Sequence, residues 1–281
     1  MKLSVITINF NNRDGLRKTI ESVVNQTYKD FEYIIIDGGS TDGSVDVIKE
    51  YADRIDYWVS EPDKGIYNAM NKGIDVAKGE YCLFLNSGDF LFNSNVLNDC
   101  ISYLDGTDVI TGALKVDSGY IIPAPLQVTI PFFYSFDTLS HPASFIKTRL
   151  LKKYHYDEKL ALVSDWKFFT KVLILDGASY KSIREIIAIF DTTGISSLNK
   201  EQCHKEQAYV LENDFPKCIL EYYRFNTEDV DVQLFNEIRR TWYRRYLYTL
   251  NVFVLRLLTL FKRESWIRHY PLNFNKGIKQ M

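Results

Sequence analysis

Leu3-Ser4-Val5-Ile6-Thr7-Ile8-Asn9 is a short, β-branched apolar run that ends on polar residues, and the pattern it opens sets the architecture. A run of this kind reads as a buried strand, here over Leu3 to Ile8. Asp14 to Gln26 then places Leu16, Ile20, Val23 and Val24 at helical spacing, with one apolar face turned inward. Phe31 to Ile36 is a second strand and ends in Asp37-Gly38-Gly39-Ser40. Thr41 or Asp42 is placed to cap the next helix, which carries Val45, Val47, Ile48 and Tyr51. Ile55 to Val59 is a third strand, and Tyr67 to Ala77 is a third helix stopped by Gly79. Tyr81 to Leu85 is a fourth strand that runs into Asn86-Ser87-Gly88-Asp89.

Strand–helix alternation over about ninety residues predicts an α/β fold with a mostly parallel central sheet flanked by helices. Ligands of such sheets bind beyond the carboxyl ends of the strands. Polar residues gather at those ends: Asn9 and Asn11, Asp37, Glu61 and Asp63, then Asp89. One such group is ordinary loop chemistry, whereas four at one sheet edge point to a site.

Past residue 100 the pattern is less regular. Val109 to Val116 and Tyr120 to Ile122 read as a hairpin around Asp117-Ser118-Gly119, Ser164 to Leu175 as a helix, and Tyr180 to Phe190 as a strand. Thr193-Gly194-Ile195-Ser196-Ser197 reads as loop, so the expected division is a catalytic domain over 1–197 and a helical C-terminal region over 198–281. Within that region, 239–263 interleaves Arg239, Arg240, Arg244, Arg245, Arg256, Lys262 and Arg263 with aromatic and aliphatic residues. A basic, aromatic, apolar helix fits the interface of an anionic leaflet. Docking on its own catalytic domain or on a second copy of the chain (a homo-oligomer) is the alternative.

Composition narrows the class. Of 281 residues, 46% are hydrophobic and 25% charged, so a packed core is expected rather than disorder. A net charge of −2 argues against a nucleic-acid partner. The 19 Tyr and 18 Phe suit sugar stacking, a membrane interface or simply an aromatic core. Cys82, Cys100, Cys203 and Cys218 form no Cys-x-x-Cys pair, which fits a reducing cytoplasm and argues against a zinc site. Met1-Lys2 leads into an apolar run too short for a secretory signal, and no uninterrupted apolar stretch is long enough to span a bilayer. The expected location is the cytoplasm, peripheral on the inner face of the membrane.

A carboxylate at the end of a buried strand, as Asp89 is, suits Mg²⁺ or Mn²⁺, because hard cations take oxygen ligands. Five ordered segments add to this. They are Ser4-Val5-Ile6-Thr7-Ile8-Asn9-Phe10-Asn11, Ser22-Val23-Val24-Asn25-Gln26-Thr27-Tyr28, Ile36-Asp37-Gly38-Gly39-Ser40-Thr41-Asp42-Gly43-Ser44, Ser60-Glu61-Pro62-Asp63-Lys64-Gly65-Ile66-Tyr67-Asn68-Ala69-Met70-Asn71-Lys72-Gly73 and Gly79-Glu80-Tyr81-Cys82-Leu83-Phe84-Leu85-Asn86-Ser87-Gly88-Asp89. Together they resemble the opening of inverting family 2 nucleotide-sugar glycosyltransferases of the bacterial surface-polysaccharide type. The resemblance implies the Rossmann-like GT-A fold, a nucleotide-diphosphate sugar donor, UDP above others, and a saccharide or lipid-linked acceptor.

Residue by residue, the resemblance implies that Thr7, Phe10 and Asn11 line the nucleoside pocket. Asp37 would be the first carboxylate of the family's Asp-Asp-Gly-Ser pattern, Asp63 would touch uracil, and Asn86 would support the donor or the metal shell. Asp89 would hold Mn²⁺ or Mg²⁺. The chain departs from the family at Gly38, Met70, Asn86 and Gly88, where the pattern has Asp, Arg, Asp and Asp. Ala161-Leu162-Val163-Ser164-Asp165-Trp166-Lys167-Phe168-Phe169 is similar to the acceptor-side acidic motif, which makes Asp165 the expected general base. Its alternative is an acid favoured at a helix start. His141, in Ser140-His141-Pro142-Ala143-Ser144-Phe145, is a candidate for the diphosphate or the metal and Lys64 for a phosphate, against a structural His beside Pro and a solvated loop Lys.

Two other classes compete. A sugar nucleotidyltransferase would need a Gly-rich basic loop after the first strand, and Phe10-Asn11-Asn12-Arg13-Asp14-Gly15 lacks the glycines. A non-catalytic nucleotide-sugar-binding module would explain the lost acids but not the retained Asp89 and Asp165.

Overall fold

The apolar runs form strands because helices cover both of their faces. The computed structural model describes residues 1–135, 137–192 and 199–221. β1 (Leu3–Asn9), β2 (Phe31–Asp37), β3 (Tyr57–Ser60) and β4 (Tyr81–Phe84) pair in the order β3-β2-β1-β4, all parallel. Every residue of β1 is buried. Side chains alternate between faces with a period of two. Leu3, Val5, Tyr33 and Ile35 therefore join Leu16, Ile20 and Val23 of α1 (Arg13–Val24) and Val47 and Ile48 of α2 (Ser44–Glu50) in one apolar cluster. Ile6 and Ile36 face α3 (Ile66–Val76), which approaches so closely that a Cβ on Gly73 would lie 2.6 Å from Ile6 Cγ2.

Buried polar groups at the start of the sheet are paired rather than excluded. Ser4 Oγ donates to Glu32 Oε2 at 2.7 Å and accepts from Gly79 N at 2.8 Å, and Lys78 N donates to the same carboxylate oxygen at 2.8 Å. A Cβ on Gly79 would meet Ser4 N at 2.4 Å, so only glycine lets the chain pass into β4 there. This is the Gly that the sequence marks as the stop of the third helix.

Beyond β4 the sheet is mixed: the strand beside β4 is antiparallel to both of its neighbours, the two long strands after it pair in parallel, and the edge strand is antiparallel again. The remaining elements are β5 (Phe90–Leu91), α4 (Val96–Cys100), β6 (Val109–Val116), β7 (Ile121–Ile122), α5 (Ile130–Tyr134), β8 (Ser144–Lys147), α6 (Thr148–Tyr154), α7 (Ser164–Phe169), β9 (Tyr180–Phe190) and α8 (Lys200–Asp214). The full order is β3-β2-β1-β4-β8-β6-β9-β5, with β7 on β6 as the predicted hairpin. The pieces the sequence did not reveal are β5, β8, α4, α5 and α6. Each is seven residues or shorter, too few to display a period.

Two local expectations change. The helix expected over Ser164 to Leu175 is α-helical only to Phe169 and continues as a π-helical turn over Thr170–Leu175. There Asp176 N bonds back to Lys171 O, five residues earlier. α2 is capped by the backbone of Gly43 at φ +93°, not by Thr41 or Asp42. Asp42 still serves that helix start, because its carboxylate accepts from Ser44 N at 3.0 Å and Ser44 Oγ at 2.6 Å.

Met1–Phe215 forms one compact unit, and Pro216–Met281 a second that is described only to Glu221. α8 belongs to the first unit, where Glu206 accepts the backbone N–H groups of Leu162 and Ala161. The loop at 193–197 and the basic aromatic segment 239–263 lie outside the described residues. Among those described, no helix is long and apolar enough to cross a membrane.

Candidate active site

The carboxyl ends of β1, β2 and β3 are tied together by one carboxylate. Asp37, 0% exposed, accepts from Asn9 Nδ2 at 2.7 Å, Ser40 Oγ at 2.6 Å, Ser40 N at 2.9 Å and Ser60 Oγ at 2.6 Å. Burial alone would push this carboxyl up, but the donors from Ser40, Ser60 and Asn9 outweigh it and hold it below the usual range. All four acceptor positions of the carboxylate are filled. The neighbouring loops lock onto this knot: Asn11 N donates to Ser40 Oγ at 2.8 Å, and Asn11 Oδ1 accepts from Thr41 N at 2.9 Å. Asn11 holds φ +49°, a conformation its short amide tolerates.

Above the knot the surface opens. Phe10 is 65% exposed, and its ring lies 3.1 Å from where a Cβ on Gly38 would be. The same Cβ would lie 2.4 Å from Asp63 Oδ2, so the Asp63 carboxylate occupies the room that a side chain at 38 would need. Asp63 Oδ1 accepts from Gly65 N at 2.9 Å, which fixes the carboxylate in place. Lys64 is exposed beside it, and its backbone N–H donates to Asn68 Oδ1 at 3.1 Å.

The end of β4 is shaped from α1. Asn12 caps that helix by accepting from Gly15 N, and its Nδ2 donates to Ser87 O at 3.0 Å. Thr19 Oγ1 donates to Asp89 O at 2.6 Å and accepts from Gly88 N at 3.0 Å. This turn presents Asp89, 3% exposed, whose Oδ1 accepts from Asp191 N at 3.0 Å. Burial, with the negative charges of Asp191 and Asp117 adding to it, pushes the Asp89 carboxyl up to about 7. Asn86 Oδ1 is buried close by in the chain without a hydrogen-bond partner. Oxygen donors, an excess of negative charge and an orphaned carbonyl suit a hard divalent cation. Among the described residues no group of three His, Cys, Asp or Glu stands close enough to hold a metal unaided. The fit is therefore that of a partial shell.

A second group is organised around Asp165, at the start of α7. Tyr67, from α3, donates its hydroxyl to Asp165 Oδ1 at 2.9 Å. Burial and then the Asp165 charge drive the Tyr67 hydroxyl well above its ordinary pKa, so it stays a donor. Asn68 and Asn71 of the same helix donate to the two oxygens of Glu158, and Asn71 exchanges further bonds with the Tyr156 backbone. Glu206 of α8 and the bridge from Lys167 to Asp157 and Asp214 hold the loop before α7. His141 packs beneath this site. It stacks on Phe84 with centroids 4.9 Å apart, and Nε2 lies 2.8 Å from the Tyr156 hydroxyl. Burial lowers its pKa against the pull of Asp165, leaving a neutral ring.

The residues singled out from sequence thus fall into two kinds. Phe10, Asp63, Lys64, Asn86 and Asp165 stand at strand or helix ends and are at least partly exposed, while Asp89 is buried in the turn after β4. Thr7, Asp37 and His141 are turned into the protein, Thr7 fully enclosed with its hydroxyl 3.1 Å from that of Tyr33, whereas Asn11 is exposed with its amide oxygen accepting from Thr41 N. Sequence reading missed Tyr67, Thr19, Glu158 and Asp191. Tyr67 sits inside a quoted motif and was legible there; Asp191 had no motif of its own. A cleft of about 450 Å³ lined by Glu32, Asp56, Asp75, Lys78 and Lys152 lies toward the amino ends of the strands and touches none of these groups.

A curled, mostly parallel sheet flanked by helices, with Phe10, Asp63 and Asp89 at the carboxyl ends of its strands, is the architecture of a GT-A glycosyltransferase. Residues 4–154 match the family described as Glycosyl transferase family 2, and the chain belongs to that family. It is 33% identical over 218 residues to the uncharacterized glycosyltransferase Rv1514c of Mycobacterium tuberculosis H37Rv, covering 74% of this chain and 80% of that one. It is 26% identical over 230 residues to the poly(ribitol-phosphate) beta-N-acetylglucosaminyltransferase TarS of Staphylococcus aureus Mu50, covering 76% of this chain and 39% of TarS. In fold it resembles S. aureus TarS 1–349 in complex with UDP-GlcNAc, with a TM-score of 0.62 at 23% identity over 78% of this chain and 69% of that one. A mannosyltransferase from Pyrobaculum calidifontis in complex with GDP-Man and Mn²⁺ aligns at TM-score 0.52 and 18% identity, over 67% of this chain and 56% of that one.

Proposed function

We propose that this chain is an inverting transferase that moves a hexose or N-acetylhexosamine from a UDP-sugar to a saccharide or lipid-linked saccharide acceptor in surface-polysaccharide synthesis. The observation that carries the reading is the Tyr67–Asp165 pair, by which α3, the helix that follows the Asp63 loop, holds the carboxylate at the start of α7. The base would lie on Phe10, and Asp63 Oδ2 would accept the imide N–H of uracil. Asp37, Thr7 and Asn11 would act by holding the ledge rigid. The acceptor hydroxyl oxygen attacks the anomeric carbon as Asp165 takes its proton, and the bond from that carbon to the diphosphate oxygen breaks. One displacement gives an inverted glycoside and a free nucleoside diphosphate. Asp89, with Asn86 beside it, would hold Mn²⁺ or Mg²⁺, which when bound neutralises charge on the departing diphosphate.

Titration of the full chain with UDP, GDP and dTDP tests the donor site. Binding of UDP at least tenfold tighter than of GDP is expected. Equal or reversed affinities would remove the UDP assignment, and no binding of any nucleotide would favour a non-catalytic module.

Catalysis is assigned to residues 1–197, and 239–263 to contact with an anionic membrane at the cytoplasmic face. A chain ending at Asn236 is expected to stay in the supernatant when liposomes rich in anionic lipid are pelleted, while the full chain sediments with them. Equal sedimentation of the two would sink the membrane assignment and leave the segment as a protein contact.

A further inference from the structure

We infer that β7 and the strap that follows it, Tyr120 to Leu126, form a lipid-contacting ridge that sets the chain against a membrane beside its catalytic edge. This deepens the membrane part of the reading above, on which it rests, with a contact inside the first compact unit and separate from segment 239–263.

The sequence sets this stretch apart. Residues 118–136 carry no charge in a chain that is 25% charged, and Asp117 and Asp137 close the run at either end. Pro123 and Pro125 keep the strap from coiling into a helix that could bury its apolar side chains. Tyr120, Ile121, Ile122 and Leu126 are all exposed, Leu126 at 89%. Hydrogen bonds hold the ridge in place. Val116 N donates to Tyr120 O at 2.9 Å, the Tyr180 hydroxyl to Pro125 O at 2.8 Å and Ser182 Oγ to Ala124 O at 3.4 Å.

Sheet direction places the ridge beside the site. β8 is antiparallel to both β4 and β6, so β6 runs as β4 does and its carboxyl end reaches the edge where Asp89 stands. The turn after β6 is tied to that edge, because Thr192 N donates to Asp117 Oδ2 at 3.4 Å, one residue on from the Asp191 N–H that donates to Asp89. From there the ridge runs back along β6, with Ile121 opposite Lys115 and Ile122 opposite the buried Leu114. Successive side chains of a strand point to opposite faces, so apolar groups stand open on both faces of the ribbon. A protein partner docked on a ribbon covers one face, whereas an apolar medium covers both. The charges that bound the run are acidic, so attraction to anionic headgroups does not hold it there and burial of apolar surface does. A lipid-linked acceptor in the same membrane is thereby brought to the strand ends, an arrangement a free saccharide would not need.

The test uses the full chain, phosphatidylcholine vesicles and about 1 M salt, which shortens the reach of the basic segment's charges to about 3 Å. Tyr120→Trp puts an indole on the ridge. Its emission above that of the wild type is expected to fall at least twofold when the vesicle lipid is brominated. Ile121→Asp together with Leu126→Asp is expected to weaken vesicle binding at least tenfold, with UDP affinity within about twofold of wild type. Should that double variant lose UDP affinity as well, the Tyr120→Trp quenching alone decides. No added quenching while the protein still sediments overturns the inference and leaves the membrane contact to 239–263. An indole emission that shifts with protein concentration in the absence of vesicles also overturns it, with a second copy of the chain as the occupant. A wild type that sediments with neither neutral nor anionic vesicles overturns the inference and the membrane assignment together, and the UDP titration still judges the donor site.

Discussion

Asp165→Asn is expected to lower kcat by about 10²–10⁴-fold, the range that a positioned general base contributes. The substitution keeps the shape of the side chain and its Oδ1, so the Tyr67 hydroxyl retains its acceptor. The start of α7 keeps its packing, because the buried Ser164, Trp166, Phe168 and Phe169 are untouched. What is lost is the ability to take a proton from the acceptor hydroxyl as it attacks. Donor binding, measured as UDP affinity, is expected to stay within about twofold, because Asp165 lies on the acceptor side. The loss therefore falls on kcat rather than KM, as it does when an interaction made only in the transition state is removed. UDP release from the donor sugar, with and without acceptor, reads this directly. A kcat within threefold of wild type would remove Asp165 from the chemistry and return it to the role of a helix-start acid.

The second large effect is at Asp89. Asp89→Asn is expected to abolish nucleotide-dependent Mn²⁺ binding and, in EDTA, to stabilise the protein. The carboxyl has its pKa raised from 3.8 to about 7 in the folded chain. Below about pH 4 it is protonated both folded and unfolded, so the substitution is neutral there. Between about pH 4 and 7 the unfolded chain ionises while the folded chain keeps its proton, so wild-type stability falls as pH rises. Above about pH 7 both forms are ionised and the penalty is constant, with a ceiling on the order of 4 kcal/mol. Asparagine carries no such penalty and still accepts from Asp191 N. Its melting midpoint should exceed that of the wild type by roughly 5 °C or more at pH 8, with the gap closing by pH 4. A midpoint difference that does not change with pH would show that Asp89 is not the group held neutral by its surroundings. Retained Mn²⁺ binding would remove it as a metal ligand.

Both predictions depend on groups whose local setting was readable and whose partners were not. The alternation from Leu3 to Leu85 named the four parallel strands, because burial on both faces demands unbroken β-branched runs and the crossover helices demand a 3.6-residue period. The chain past β4 was harder, because a four-residue strand such as β8 or a five-residue helix such as α4 shows neither period. Motif matching placed Asp37, Asp63, Asp89 and Asp165 at element ends. It did not separate Asp37, saturated by four internal donors, from Asp63, which keeps a carboxylate oxygen toward the Gly38 gap. For His141, sequence favoured a structural place over contact with the diphosphate or the metal, and the ring packs on Phe84 and meets the Tyr156 hydroxyl.

By itself the sequence determined the fold class, the family and the strand ends that carry carboxylates, because these follow from local periodicity and contiguous motifs. Only the tertiary structure decided which carboxylates are spent on holding loops and which stand open. It also decided that Asp63 and Asp191 fill the gaps at Gly38 and Gly88, and that Tyr67 aims Asp165 from 98 residues away. The physical reason is that a carboxylate's role is set by the donors, charges and burial around it. Those come from strands and helices brought together by sheet register, which no spacing along the chain records.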